Sequence, residues 1–165
     1  MSPARFDPYA ILRELDRARV YFVLVGALAR VIQGSDEVTR GLDLTPSLRP
    51  QNLERLEQAL ETLNARRRDG QPLALGDLDP SREPVLELES DVGEIKIVPQ
   101  PAGTRGYDDL RHRAMREHLG EGLRPDVAGA GDLVRMLEAH GAADAITMDT
   151  MRRVIELDRG LGLEL

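Results

Sequence analysis

Two stretches of the sequence combine glycine, carboxylate and basic residues that could take part in ligand or metal binding. In the first, an apolar run ends at Gly26 and a short helical pattern follows, so backbone N–H groups at this turn could approach a phosphate. The stretch continues to Asp43, within an alternating segment typical of a strand. In the second, Glu94 and Lys96 are two residues apart on a predicted strand and therefore point to the same face of a sheet.

Hydrophobic spacing predicts the elements that position these residues. Asp7 and Pro8 form a typical helix start, with the carboxylate as N-cap and proline at the first helical position. A long polar segment, 66–84, is predicted to be mostly a surface loop. The other predicted elements are strands over 21–25 and 41–44, a hairpin of 85–90 and 94–98, and helices over 27–33, 50–64, 107–119, from Asp132, and over 148–157. This order predicts an α+β fold in which helices cover a mixed sheet.

The composition is that of an ordinary globular protein of 165 residues, with 41% hydrophobic and 31% charged residues. This length favours a single domain, in which we expect a core over 1–125 and a helical C-terminal segment over 126–165 packed on it. The sequence has no cysteine, which excludes disulfides and thiolate metal sites and fits a reducing compartment.

The sequence also limits the partners and the location of the protein. The first ten residues do not have the pattern of a signal peptide, and no apolar run approaches the roughly 20 residues that a membrane span needs. A net charge of −7 argues against a protein that coats DNA but leaves room for a local basic patch. We therefore expect a cytoplasmic protein that does not bind membranes and that could form a homo-oligomer.

The segment 21–46, YFVLVGALARVIQGSDEVTRGLDLTP, resembles the minimal nucleotidyltransferases of the DNA polymerase beta superfamily, and most closely the bacterial group that includes AbiEii-type toxins. Proteins of that group have an apolar strand, a Gly-Gly or Gly-Ser turn, a short helix, and a strand bearing Asp-x-Asp after a Thr-Arg-like lead-in. After its apolar strand, this chain has the matching pieces Gly26-Ala27, Gly34-Ser35, Thr39-Arg40 and Gly41-Leu42-Asp43. Segments 92–110 and 132–136 also match the group, so the resemblance covers most of the chain.

The resemblance implies a nucleotidyltransferase-like fold and a specific chemistry. In that chemistry, two Mg²⁺ ions neutralise a nucleoside triphosphate while a hydroxyl attacks its α-phosphate. Magnesium requires oxygen ligands, which the group supplies as three carboxylates on two neighbouring strands. The resemblance further implies that the turn and the lead-in contact the nucleotide, which here would involve Gly26, Ala27, Ser35 and Arg40.

Two of the three carboxylate positions differ in this chain. Gly41 stands where the first metal-binding aspartate is expected and Lys96 where the third is expected, so only Asp43 remains. One carboxylate cannot hold two Mg²⁺ ions. Glu94 is a possible substitute ligand, but it is displaced along its strand by two residues, or about 6–7 Å. The late helix also departs from the group, near Leu137 and over 141–144.

These departures predict a catalytically inactive binding or regulatory protein without a cofactor, whose ligand is a nucleotide, an RNA or a partner protein. The alternative is an active, Mg-dependent nucleotidyltransferase, toxin-like in type, that modifies RNA or protein through a rearranged site. Two hypotheses remain open for Lys96. Its ammonium could occupy the vacated metal position and pair with Asp43, or Lys96 is a surface residue that changed after catalysis was lost.

The remaining basic residues have more ordinary interpretations. The arginine run 66–68 could contact RNA or a partner, although such runs are more often solvated. A second group of arginines borders a predicted helix start. Their spacing favours surface ion pairs with nearby acidic residues over a role at a nucleotide pocket. This group consists of Arg105, Arg111, Arg113 and Arg116. The three histidines, His112, His118 and His140, lack the spacing of zinc ligands.

Overall fold

The computed structural model describes residues 5–141 and 145–164. Within these residues the chain forms six helices and a seven-stranded mixed sheet, which confirms the predicted α+β class. The helices are α1 (Pro8–Arg17), α2 (Gly26–Gln33), α3 (Pro50–Thr62), α4 (Tyr107–Leu110), α5 (Ala130–His140) and α6 (Ala145–Glu164). The strands are β1 (Phe22–Val25), β2 (Gly41–Pro46), β3 (Arg66–Arg67), β4 (Leu86–Ser90), β5 (Gly93–Ile97), β6 (Met115–Arg116) and β7 (Asp126–Val127).

The strands follow the order β3-β4-β5-β2-β1-β7-β6 across the sheet. β2 lies at the centre, antiparallel to β1 and parallel to β5. β4 and β5 form the predicted hairpin, and its register places Leu86 opposite Ile97. The central parallel pair carries Asp43 on one strand and Lys96 on the next.

The two faces of the central strands differ in polarity. In β5 and in β2 as far as Leu44, alternate residues are buried, whereas those between them, including Asp43 and Lys96, are half-buried. The buried set is Leu42, Leu44, Ile95 and Ile97. Helices α1 and α3 contact each other, while α2, α5 and α6 form a second packed group. Since residues of α2 and α5 share a cavity with Asp43, this second group lies on the polar face.

Local signals place most elements where the sequence predicts them. The carboxylate of Asp7 accepts a hydrogen bond of 3.1 Å from the backbone N–H of Ala10, and Pro8 occupies the first helical position. α3 likewise begins with proline, at Pro50, and buries its leucine face. The 66–84 segment is mainly loop, but its first two residues add strand β3, and Leu75 is buried.

The helix predicted over 107–119 is wrong. The helix α4 ends at Leu110, and the chain then turns into strand β6, which pairs with β7 at the edge of the sheet. Arg113, which a longer helix would place on its surface, instead bonds the buried carboxylates of Asp109 and Asp132. Tertiary ion pairs and strand pairing therefore override the helical propensity of this segment.

Two other helix boundaries also differ from the prediction. Asp132 does not cap α5, whose N-cap is Gly129; Asp132 lies in the first turn and is paired there with arginine. The last helix, α6, extends beyond the predicted 148–157 at both ends. The short strand β7 lies within the 126–165 segment, and pairs in parallel with β1. None of the described helices is both long and apolar enough to cross a membrane.

Candidate functional site

Asp43 and Lys96 lie directly opposite each other on adjacent parallel strands. The register of β2 and β5 pairs Asp43 with Lys96, and Gly41 with Glu94. Residues in register on adjacent strands share a face, and the strands themselves are about 4.8 Å apart. The three positions compared with metal carboxylates, 41, 43 and 96, therefore converge on one part of the sheet.

These residues line a cavity of about 470 Å³, here called the Asp43 pocket. Its walls come from the start of α2, the lead-in to β2, the polar face of β2 and β5, and the end of α5. The lining residues are Gly26, Ala27, Arg30, Val38, Thr39, Arg40, Gly41, Asp43, Glu94, Lys96, Leu137 and His140. Seven of the eight site residues proposed from the sequence are in this set, and Ser35 is not.

Gly26 allows the Asp43 carboxylate to pack against the first residue of α2. Gly26 has φ = 75°, and a Cβ at this position would lie 2.3 Å from Oδ2 of Asp43. The helix begins here without a side-chain cap from Val25. Because the first-turn N–H groups of a helix lack intrahelical partners, this end of α2 presents hydrogen-bond donors beside the pocket.

The charge state of Asp43 is governed by burial and by two nearby cations. Burial raises the pKa of the Asp43 carboxyl above its usual value, the charges of Lys96 and Arg30 act to lower it, and Glu94 raises it further. The ammonium of Lys96 forms no ion pair with a carboxylate in the part of the chain that the structure describes. Lys96 thus acts on Asp43 through space, and the direct pair considered from the sequence is not formed here.

Glu94 is held away from a metal-binding role by its own partner. A guanidinium nitrogen of Arg68 donates to a carboxylate oxygen of Glu94, and the same guanidinium donates to Glu89 at 3.1 Å. Glu87 lies 3.7 Å from it. The Glu94 carboxylate is therefore held in an ion pair whose guanidinium it shares with two other carboxylates, which weakens its case as a substitute ligand.

The arginine run 66–68 is mostly engaged within the protein. Arg67 donates to Asp69 and Glu83, at 2.7 Å and 2.8 Å through Nη2, and Arg68 is paired with carboxylates of β4 and β5. Only Arg66 of this run has no ion pair with a described carboxylate. These pairs favour a structural role for the run over contact with RNA.

Gly41 is in close contact with the backbone of β5. A Cβ on Gly41 would lie 2.8 Å from the backbone oxygen of Glu94 and 2.9 Å from its Cβ. Such distances require the strands to shift before any side chain fits at position 41. Among the side chains that the structure describes, no group of three or more His, Asp or Glu residues is placed to hold a metal ion. The side chains that line the Asp43 pocket therefore do not fit a Mg²⁺ site of the expected kind.

The loop between α2 and β2 is organised by a partly buried ion pair. Arg30 donates through Nε and Nη2 to the two carboxylate oxygens of Glu37, both at 2.8 Å. The buried Ser35 hydroxyl donates to the same carboxylate at 2.7 Å. Ser35 therefore stabilises the loop and is not at the pocket. Arg40, which does line the pocket, is exposed and has no ion pair with any described residue.

Sequence reasoning missed five residues of the pocket wall as site residues: Arg30, Val38, Thr39, Leu137 and His140. Arg30 follows Gly26 by four residues on α2, so helical spacing places both on one side. His140 follows Leu137 by three residues on α5 and is related to it in the same way. Only the packing of α5 against α2 shows that these helix faces meet the sheet strands.

A cluster of buried ion pairs fixes the position of α5. Asp109 accepts from Nη2 of Arg113 at 2.9 Å and from Nη2 of Arg135 at 3.0 Å, and Arg113 also bonds Asp132. The backbone N–H of Arg105 donates to Asp109 and, with these guanidinium groups, lowers the pKa of the Asp109 carboxyl to about 2. Two of the predicted pairs of this arginine group are present, Arg113–Asp109 and Arg111–Asp108, although Asp109 is buried. Arg116 pairs with Asp126, which was not predicted.

Comparison with known proteins supports the fold assignment. No protein-family model and no curated protein matches this sequence. The structure is similar to the lincosamide antibiotic adenylyltransferase LnuA in its lincomycin-bound form, with a TM-score of 0.58, 14% identity, and coverage of 89% of this chain and 95% of that chain. It is also similar to ANT(2'')-Ia in complex with adenylyl-2''-tobramycin, with a TM-score of 0.57, 15% identity, and coverage of 95% and 88%.

The solution structure of ANT(2'')-Ia, an antibiotic-resistance factor, is similar over 95% of this chain and 92% of that chain, at 14% identity and a TM-score of 0.53. These alignments span nearly the whole of each protein. The chain therefore has a nucleotidyltransferase fold, as its motifs indicate. Identities this low establish the fold and leave the activity to be argued from the pocket.

Proposed function

We propose that this protein binds a nucleotide in the Asp43 pocket without a metal ion and does not transfer it. The observation that carries the proposal is the state of the two altered carboxylate positions. Gly41 is packed against the Glu94 backbone, and Lys96 places an ammonium opposite Asp43. A transferase of this fold needs negative charge at these positions to hold Mg²⁺. In this chain, Gly41 carries no charge and Lys96 carries a positive one.

The same pocket is suited to phosphate. Lys96 and Arg40 line it without ion pairs to any described carboxylate, so their charges are available to a ligand. The uncapped start of α2, at Gly26 and Ala27, adds backbone donors and the favourable end of a helix dipole. In this proposal Lys96 takes over part of the charge neutralisation that a metal ion provides in an active transferase.

The alternative is an active, Mg-dependent nucleotidyltransferase that modifies RNA or protein. Its support is the fold itself, which LnuA and ANT(2'')-Ia share, together with the retained Asp43. It would require the Glu94 carboxylate to leave Arg68 and a strand shift or an additional acidic residue near the pocket. We favour the inactive protein because the described residues supply no such set.

Calorimetric titration with ATP in EDTA and in excess MgCl₂ tests the proposal. We expect binding in EDTA that does not strengthen when Mg²⁺ is added. Lys96→Met removes one charge-assisted contact and should weaken binding about tenfold or more. Arg66→Met is the matched control, because Arg66 is exposed, unpaired among the described residues and outside the pocket. Binding that appears only with Mg²⁺, or that is unaffected by Lys96→Met, would contradict the proposal.

A further inference from the structure

A second polar region lies at the other end of β1 and has no lining residue in common with the Asp43 pocket. It consists of two adjacent cavities, of about 310 Å³ and 320 Å³, that share Tyr21. Six arginines line them, and we call the region the arginine groove. Arg19, Arg116 and Arg124 line the first cavity, and Arg49, Arg55 and Arg111 line the second.

The arginine groove is well separated from the Asp43 pocket. Tyr21 comes just before β1, whereas Gly26 of the Asp43 pocket comes just after it. At about 3.3 Å per strand residue, the two positions are about 16 Å apart. The groove is therefore a site distinct from the Asp43 pocket.

The groove concentrates positive charge on a protein whose net charge is −7. Three carboxylates also line the two cavities, and two of them form only long ion pairs, Arg111–Asp108 at 3.9 Å and Arg116–Asp126 at 3.7 Å. The other four arginines form no ion pair with a carboxylate of the described residues. They are Arg19, Arg49, Arg55 and Arg124. Four guanidinium groups are thus available to an anionic ligand.

Tyr21 is held rigidly between the two cavities by a buried asparagine. The side chain of Asn52 donates to the backbone oxygens of Tyr21 and Ser47, at 2.9 Å and 2.8 Å, and accepts from the backbone N–H of Tyr21 at 2.7 Å. Asn52 is 3% exposed, whereas Tyr21 is 60% exposed. A fixed backbone therefore presents an aromatic ring to solvent, and Tyr107 lines the second cavity beside it.

We propose that the arginine groove binds single-stranded nucleic acid. Guanidinium groups on both sides of Tyr21 would contact successive phosphates, while the exposed ring stacks with an unpaired base. An acidic peptide would use the arginines but would gain little from the ring. The combination of unpaired arginines, a central tyrosine and a rigid support favours the nucleic acid. This proposal is independent of what the Asp43 pocket binds.

Fluorescence anisotropy with labelled oligouridine RNA and oligothymidine DNA tests this proposal on the intact protein. We expect binding at about 50 mM KCl, with log K falling against log[KCl] at a slope of about −3, since each of four phosphate contacts contributes about −0.7. Comparison of the two oligomers shows whether the sugar matters. Absence of binding to both at low salt would overturn the proposal.

Substitutions separate the ionic contribution from stacking. Arg49→Ala and Arg124→Ala should each weaken binding several-fold and make the salt slope shallower by about 0.7. Tyr21→Ala should weaken binding at least fivefold without changing the slope, because stacking is not ionic. Arg66→Ala carries the same charge change outside the groove and should have almost no effect.

Two results would contradict the assignment. Equal losses from Arg66→Ala and Arg124→Ala would indicate diffuse attraction with no defined groove. An oligoglutamate peptide that competes as well as RNA, together with no effect of Tyr21→Ala, would indicate an acidic-peptide site instead. Because Tyr21, Arg49 and Arg124 are exposed, their variants should keep the wild-type circular dichroism spectrum and melting temperature, which serves as the check on folding.

Discussion

The backbone oxygen of Glu94 lies 2.8 Å from the position that a Cβ would occupy on Gly41. Position 41, which the sequence resemblance compares with the first metal-binding aspartate, is thus occupied by a glycine that fits only because it has no side chain. A carboxylate cannot be introduced there without moving β2 from β5. The absence of negative charge at position 41 is built into the packing of the two central strands.

Gly41→Ala should therefore lower the free energy of unfolding by about 1–3 kcal/mol, as expected for overpacking between strands. Gly131→Ala is the control, because a Cβ there meets nothing within 4 Å and lies in helix α5. That change should be neutral or stabilise by about 0.4–1 kcal/mol. Chemical denaturation of both variants measures the difference, and equal stabilities would show that the strands accommodate a side chain at position 41.

Asp43→Asn should stabilise the protein at neutral pH. Burial raises the pKa of Asp43 in the folded state, despite the opposing charges of Lys96 and Arg30. When folding raises the pKa of a group, its contribution to the free energy of unfolding is complete at pH values below the pKa of the unfolded state. That contribution is lost as the pH rises through the pKa of the folded state. The asparagine variant avoids this loss, so its melting temperature should exceed that of the wild type at pH 7.

The stabilisation by Asp43→Asn should disappear at about pH 3, where Asp43 is protonated in both states. Asp36→Asn is the control, because Asp36 is exposed. Between pH 7 and pH 3, its difference in melting temperature from the wild type should change less than that of Asp43→Asn does. A variant that is less stable than the wild type at pH 7 would mean that attraction to Lys96 outweighs burial, contrary to the electrostatics described above.

Lys96→Asp should create a dependence on metal that the wild type lacks. The substitution places two carboxylates opposite each other across β2 and β5, where like charges repel in the absence of a cation. In EDTA its melting temperature should fall below that of Lys96→Asn, which removes the same ammonium without adding charge. Millimolar MgCl₂ should raise the melting temperature of the aspartate variant only, because a bound ion stabilises the folded state.

The Lys96→Asp experiment has two informative failures. If Mg²⁺ also raises the melting temperature of the wild type, the unmodified pocket already holds a metal. If Mg²⁺ leaves the aspartate variant unchanged, the side chains at positions 43 and 96 are not directed at a common point.

Asp109→Asn should destabilise the protein by about 2–3 kcal/mol. The substitution weakens the charge-assisted bonds to Arg113 and Arg135 and removes one of the negative charges that balance these two guanidinium groups. The control is Asp108→Asn, whose side chain is 87% exposed and whose loss should change stability by less than about 0.5 kcal/mol. Urea denaturation of the two variants at neutral pH measures both values. Equal losses would contradict the role assigned to the buried cluster.

The Asp109 contribution also has a defined pH window. Its folded pKa is about 2, below the value of about 3.9 in an unfolded chain. The stabilisation is therefore present above about pH 4 and is lost as pH falls towards 2. The wild type should lose more stability than Asp109→Asn over this interval, so their denaturation midpoints should converge in acid.

Local sequence signals were sufficient for the central strands and their charged face. The alternation around Asp43 and Lys96, the Gly26 turn and the Asp7 cap are each encoded within a few residues, and the structure has all three. The segment after Leu110 could not be predicted in this way. Its conformation depends on Asp132 and on β7, which are distant in sequence, so its own helical propensity was misleading.

The pocket was predicted in outline from the order of its motifs, but its wall was not. Helix α5 contributes Leu137 and His140 only because the Asp109 cluster and α2 fix its position. The ion pair between Arg68 and Glu94 was similarly beyond sequence reasoning, because Arg68 follows β3 whereas Glu94 lies on β5, 26 residues later in the sequence. The departures at 141–144 fall largely outside the described residues.

The most direct test of the central claim is a transfer assay with α-labelled nucleoside triphosphates, Mg²⁺ or Mn²⁺, and both total RNA and total protein as acceptors. Wild type and Asp43→Asn are compared, since Asp43 is the one carboxylate retained at the expected metal positions. We predict that neither protein produces labelled RNA or protein above the level of a reaction without enzyme. Metal-dependent labelling by the wild type that Asp43→Asn abolishes would contradict the account and establish an active nucleotidyltransferase.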